Sequence, residues 1–235
     1  MEEGLGRIAV VGTGPGGREH LLPRAAARIE NAQLLAGSPR LLEEYGRPGK
    51  RLFEISSGWR EAAAELDRER KKTRIAVLVS GDPMLYSFTS LLVRRIPREE
   101  LEIIPGISSF QYLAAETGMI VSDAVLISLH GRRNDRDEQI QRLTELIRLD
   151  RLIPRIVVFC DGEFHPARIA GIVRGASGKD AGGAPGAWTA CVGCNLGLPS
   201  ERIRRLPLEE AARLTNDKDD LCVMILQRED RSSTV

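Results

Sequence analysis

The sequence predicts an α/β protein of two α/β domains, the first built on a mostly parallel sheet and the second on a mixed one. Three observations carry that expectation. Short runs rich in Ile, Val and Leu alternate with stretches of helical periodicity along most of the chain. The run "IAVLV" shows no polar alternation, as expected of a parallel strand buried on both faces. Pro23 and Pro39 stand where helical patterns begin, a position that does not need the missing backbone N–H.

Taken in order, "RIAVV", "AQLLAG", "RLFEI", "RIAVLVS" and "ELEIIP" read as strands. Between them, "PRAAARIEN", "SPRLLEEY", "WREAAAELDRERKK" and "LYSFTSLLVRR" read as helices. Such alternation covers a parallel sheet with helices on both faces. "SSFQYLAAETG" follows, and "MIVSD" links it to the run "AVLISLHG". The charged stretch "RRNDRDEQIQRLTELIRLD" ends as an amphipathic helix. Beyond it, "RIVVFC", "AWTACVG" and "LCVMILQRE" are strands, with "PARIAGIVRG" and "PLEEAARL" as helices. Their hairpin-like spacing makes the second sheet mixed. The expected domains are 1–121 and 122–228, with a cleft between them and a disordered tail over 229–235. Gly175 to Ala187 is too poor in apolar residues to pack and reads as a loop.

Composition removes several functions. The chain has 34 Lys plus Arg against 33 Asp plus Glu, so nothing marks nucleic acid as a partner. Aromatic residues are only 4%, which supplies little surface for stacking bases. No apolar run approaches the roughly 20 residues of a membrane span, and the acidic start lacks a signal-peptide core. A cytoplasmic location without membrane partners is the expectation.

The loop "GTGPGG" after the first strand has the G-x-G-x-x-G spacing at Gly12, Gly14 and Gly17. A dinucleotide site would also need an acid at the end of the second strand, about 20 residues on, to hold the ribose hydroxyls. That strand ends in Ala36 and Gly37, and Glu30 falls within the preceding helix. Pro15 deletes an N–H from a loop that should donate to phosphate, and no Gly-Lys-Ser/Thr follows. The glycines instead give a large ligand room against the backbone.

Two further loops, "VSGDPMLYS" and "IPGISSFQ", follow the fourth and fifth strands. Both lie at carboxyl ends of parallel strands, where open α/β sheets bind ligands. Singly, each has a plain structural reading: Gly81-Asp82-Pro83 as a turn and Ser108 as a helix N-cap. Together with "GTGPGG", in this order and spacing, they resemble the tetrapyrrole (corrin/porphyrin) methyltransferase family from Ile8 to about Leu226. "LLPRAAARIENAQLLAG", "PGISSFQYLAAETG", "SLHGR" and "LGLPSERI" are similar to its CbiE-type branch, which methylates carbon 5 of a late precorrin in cobalamin biosynthesis. The chain departs from that branch in its long Gly-rich insert before Trp188, and in Cys194 where an acid is common.

The resemblance implies S-adenosylmethionine as cofactor, S-adenosylhomocysteine as its product, and a site in the cleft between the domains. It implies that Asp82, Leu85 and Tyr86 line the cofactor, with Ser108 and Ser109 touching it from the next loop and Cys160 from the second domain. Gly14, Pro15 and Gly16 then shape the substrate trough. A tetrapyrrole carries several carboxylates, and Arg18, His20, His130, Arg132 and Arg133 are donors placed beside the loops. Arg132 and Arg133 read equally as a solvated charged run. His130 is also the candidate to take a proton from carbon, since an unperturbed imidazole titrates near pH 6.5. A homodimer is implied, as is a separate partner for decarboxylation and carbon-15 methylation, because the chain ends near residue 235.

Four cysteines remain: Cys160, Cys191, Cys194 and Cys222. Cys191 and Cys194 form one C-x-x-C, but a second ligand pair at metal spacing is missing. Residues three apart on a strand point to opposite faces. The expectation is therefore small packing residues and no metal. Two alternatives stay open: a methyltransferase of the same fold acting on another precorrin carbon, RNA or a modified protein, and a non-catalytic subunit of a corrin-assembly complex.

Overall fold

All five strands expected in the first half form, and all pair in parallel. In the computed structural model, residues 5–129, 136–149, 153–177, 188–215 and 220–228 are described. Its two compact units are Met1–Ser108 and Ser109–Val235.

The first unit holds β1 (Ile8–Gly12), β2 (Leu34–Gly37), β3 (Arg51–Glu54), β4 (Ile75–Val79) and β5 (Leu101–Ile104), in the order β3-β2-β4-β1-β5. Every residue of β1 and β4 is buried, which is why their sequences do not alternate. One face packs Ile8, Val10 and Val77 against Leu66 and Leu92. The other packs Val11, Ala76 and Leu78 against Ile29 and Leu41. Each large aliphatic side chain so buried contributes about 1.5–3 kcal/mol. The covering helices are α1 (Pro23–Asn31), α2 (Pro39–Tyr45), α3 (Trp59–Glu69) and α4 (Thr89–Arg95). Pro23 and Pro39 open their helices, as expected.

The second unit begins with α5 (Ser109–Thr117) and continues through β6 (Val125–Ser128), α6 (Arg136–Arg148), β7 (Arg155–Phe159), α7 (Pro166–Ala176) and β8 (Trp188–Cys194). It ends with β9 (Arg202–Pro207), α8 (Leu208–Ala211) and β10 (Cys222–Arg228). The sheet order is β6-β7-β10-β8-β9; β6 and β7 are parallel and the other pairs antiparallel. The sheet is mixed, as the sequence predicts.

Three details differ from the sequence reading. The units divide at the start of α5 rather than near Ser122, because Leu113 and Ala114 pack with Val157, Cys191, Val223 and Ile225. Strand β9, "RIRRLP", is unexpected; it lies at the sheet edge with Arg202, Arg204 and Arg205 exposed, so its apolar signal is weak. Gly175 belongs to the last turn of α7 rather than to a loop, while 178–187 lie outside the described residues. No helix among the described residues is long and apolar enough to cross a membrane.

Candidate functional site

β4, β1 and β5 are neighbours in a parallel sheet, so the loops that follow them emerge side by side at one edge. Backbone contacts join these loops closely. Gly14 and Gly81 form an antiparallel bridge, with Gly81 N donating to Gly14 O at 2.7 Å. Thr13 donates twice to Val79 O, through its amide at 2.9 Å and its hydroxyl at 3.1 Å. A Cβ on Gly12 would lie 2.6 Å from Gly106 N, and one on Gly106 would lie 2.3 Å from Gly81 O. Those distances admit only hydrogen at both positions. The sequence showed these glycines in three separate loops; that they touch one another follows from the strand order.

Asp82 completes the assembly. Its Oδ1 accepts from Met84 N at 2.7 Å, and its Oδ2 accepts from Gly106 N at 3.2 Å. One carboxylate therefore shapes its own turn and ties the β4 loop to the β5 loop. Beyond it, Met84 and Tyr86 are exposed and Leu85 is half-buried. Tyr86 has φ 50°, a left-handed conformation that few non-glycine residues adopt and that collects at functional sites. Ser108 is buried and Ser109 half-buried at the start of α5.

The glycine loop itself lies deep. Gly14, Pro15 and Gly16 are all buried. Gly17 is followed by a 3-10 turn, Arg18–His20, and α1 begins only at Pro23. No α-helix N-terminus opens directly on this loop, so the usual pyrophosphate seat is not formed there. His20 Nδ1 lies 2.6 Å from Gly16 O. A carbonyl only accepts, so Nδ1 carries a hydrogen in this contact. Arg18 donates to Glu44 O at 3.1 Å and lies over the Tyr45 ring. His130, Arg132 and Arg133 lie outside the described residues.

Cys160 follows β7 in the second unit. It is buried; its amide donates to Cys222 O at 3.1 Å and its thiol to Val158 O at 3.6 Å. Burial pushes that thiol far up from its ordinary range, and Asp161 adds to the shift, so it is a neutral thiol. Cys191 and Cys194 point to opposite faces and belong to different buried clusters, as the strand spacing implies. Cys194 is nevertheless more than a packing residue, because it is disulfide-bonded to Cys222. The sequence reading missed this partner, since only the register of β8 against β10 sets Cys194 opposite Cys222.

The β4 and β5 loops, Ser80–Ser87 and Pro105–Ser109, contain no Lys or Arg of their own. Arg40 reaches Ser80 Oγ at 3.3 Å but is paired with Glu44. This donor set is poor for phosphate. A parallel sheet that gathers such loops at its carboxyl edge, without a Walker lysine or a ribose-binding acid, defines the class: an open α/β sheet, a fold that binds ligands at that edge.

The sequence places it further. The chain belongs to the tetrapyrrole (corrin/porphyrin) methylase family, whose model matches residues 7–212. It is 32% identical over 201 residues to the cobalt-precorrin-7 C(5)-methyltransferase of Salmonella typhimurium, covering 86% of this chain and 90% of that one. Its fold is shared with the precorrin-6Y methylase (CbiE) of Archaeoglobus fulgidus, at TM-score 0.69 and 24% identity over 96% of this chain and 100% of that one. The uroporphyrin-III C-methyltransferase of Thermus thermophilus, complexed with S-adenosylhomocysteine, shares it at TM-score 0.66 and 22% identity, over 94% of this chain and 92% of that one.

Proposed function

We propose that this chain is an S-adenosylmethionine-dependent C-methyltransferase that adds one methyl group to carbon 5 of a late precorrin, of the cobalt-precorrin-7 or precorrin-6Y type. One observation carries the cofactor half of that reading: three loops fixed to one another through Gly12, Gly81, Gly106 and Asp82, with no basic residue on the β4 and β5 loops. The likeness to the Salmonella enzyme over most of both chains supports the choice of carbon.

When bound, S-adenosylmethionine supplies a methyl group on a positively charged sulfonium. The chain's own contribution is position. Leu85, Tyr86, Ser108 and Ser109 hold the cofactor, Asp82 fixes the loops that carry them, and Cys160 adds a neutral wall. Aligning two reactants in this way is worth up to about 7–11 kcal/mol of barrier. Gly14, Pro15 and Gly16 form the floor for the flat substrate, and Arg18 and Arg132 meet its carboxylates. His130 takes the proton released from carbon. The active species is a cytoplasmic homodimer, and a separate protein completes decarboxylation and carbon-15 methylation.

The test is mass spectrometry and NMR of the product from the purified chain, labelled S-adenosylmethionine and a late precorrin with or without cobalt. One methyl at a meso carbon, with no carbon dioxide released, is expected. Methylation only at a peripheral carbon, or a decarboxylated, doubly methylated product, overturns the assignment.

A further inference from the structure

The second unit holds a set of side chains that methyl transfer does not use. In the register of β10, Val223 faces Phe159 on one side, and Cys222 faces Cys194 on the other. Cys160, Cys222 and Cys194 therefore stand in one row across three adjacent strands, and all three enter the same buried cluster. Asp220 brings a carboxylate to two of them. One of its oxygens and the Sγ atoms of Cys194 and Cys222 lie within 4.8 Å of one another. The Asp220 side chain is only 6% exposed.

The surroundings fix that carboxylate in place. Asn195 Nδ2 donates to Asp220 Oδ1 at 2.8 Å, and Arg202 donates to Oδ2. Asn195 is itself tied to Leu221, donating its amide to Leu221 O at 2.9 Å and accepting from Leu221 N through Oδ1 at 3.0 Å. A carboxylate this sheltered, beside two sulfurs and oriented by a second layer of donors, is how proteins build the outer shell of a metal site.

We propose that Cys194, Cys222 and Asp220 form a binding site for a thiophilic divalent cation of the zinc class, and that the Cys194–Cys222 disulfide is its oxidised, metal-free state. Two thiolates and one carboxylate favour Zn2+ over Mg2+ or Ca2+, which prefer all-oxygen sets. Three protein ligands leave a fourth position for water or another small ligand. A dithiol reductant opens the site: it gives two electrons and two protons to the S–S bond and becomes a disulfide itself. The two thiols then release their protons as the cation binds. Cys160 stays outside the set, its thiol directed to Val158 O. Cys191, on the other face, is also outside it.

The full chain is reduced anaerobically with a water-soluble phosphine, which is oxidised to its oxide, and then desalted. Zn2+ is titrated against a chromophoric chelator, and Co2+ in parallel by absorption. The reduced protein is expected to take one Zn2+ per chain and to show a near-ultraviolet thiolate-to-cobalt band, whereas the oxidised protein does neither. Cys191→Ser should retain the binding, and Cys222→Ser or Asp220→Asn should weaken it by about 10-fold or more. Circular dichroism checks that each variant is folded, and the wild-type comparison stands if one is not. No stoichiometric Zn2+ in the reduced wild type, equal binding in the oxidised form, or undiminished binding by folded Cys222→Ser overturns the proposal. No outcome bears on methyl transfer, which is measured separately.

Discussion

The two sheets of this protein collect chemistry in different ways. In the first unit every strand runs the same direction, so loops distant in sequence meet at one edge. The β1, β4 and β5 loops touch through Gly12, Gly81 and Gly106 because their strands are neighbours. In the second unit antiparallel pairing sends successive strand ends to opposite edges. What it brings together is a row across the strands, Cys160, Cys222 and Cys194. A parallel edge gathers loop backbone, and a mixed sheet gathers side chains by register.

The sharpest way to break that comparison is Gly106→Ala. Its Cβ would lie 2.3 Å from Gly81 O and 2.9 Å from Gly12 Cα, all backbone that no rotamer can move. Overpacking of this kind costs about 1–3 kcal/mol or more, and the upper end is expected. The accompanying loss of S-adenosylhomocysteine affinity should be at least about 10-fold, equivalent to 1.4 kcal/mol. Denaturant unfolding and calorimetric titration check both. Unchanged stability and affinity would mean that the loops do not depend on one another.

Asp82→Ala comes next. It leaves Met84 N and Gly106 N without their carboxylate. Hydrogen bonds to a charged group are worth about 1.5–3 kcal/mol, and water at this half-buried position should recover part of that. A loss near 1.5 kcal/mol is expected, with cofactor affinity falling more than stability. Asp82→Asn, which keeps one acceptor oxygen, should sit between. Global unfolding of Asp82→Ala, seen by circular dichroism, would make the residue a determinant of the fold rather than of the site.

How much of this could be read in the sequence follows from the same contrast. The strands of the first unit were legible because burial on both faces leaves continuous apolar runs, and Pro23 and Pro39 mark the starts of their helices. The three loops at the carboxyl edge were legible because each follows such a run. That Asp82 ties two loops together was not, since its second partner is 24 residues away. Strand β9 was missed because an edge strand rich in exposed Arg has little apolar signal. The disulfide was missed for a related reason: Cys194 and Cys222 are 28 residues apart, and nothing local in either neighbourhood names the other.

Within the first unit the two edges also differ, and acid separates them. At the amino edge, Arg70, with only 7% of its side chain exposed, donates to Asp67 at 2.8 Å, contacts Glu100 at 2.7 Å and bonds Gly6 O. The hydrogen bond from Arg70, aided by the charges of Arg70 and Arg95, holds the Asp67 carboxyl below its ordinary range, against a smaller opposing effect of burial. A carboxylate with a lowered folded-state pKa stabilises fully above its unfolded pKa, about 3.9, and loses that contribution as pH falls through the folded value. Asp67→Asn should therefore cost about 1 kcal/mol at neutral pH, and the gap should shrink below about pH 4. Urea unfolding across that range is the check. A gap independent of pH would assign the effect to shape rather than charge.

The smallest effect repeats the first substitution in the other unit and should carry the opposite sign. Gly171 lies within α7, exposed, and a Cβ built there meets nothing within 4 Å. No backbone crosses it, and its φ is not in the left-handed region. Alanine there reduces the freedom of the unfolded chain and suits the helix, for a gain of about 0.5–1 kcal/mol. By size scaling, that raises the melting temperature by about 1–4 °C. Scanning calorimetry of Gly171→Ala beside Gly106→Ala measures the difference between a glycine required by its neighbours and one that is not. A melting temperature that falls for Gly171→Ala would show that α7 also has a close neighbour at this position, and the contrast between the units would narrow accordingly.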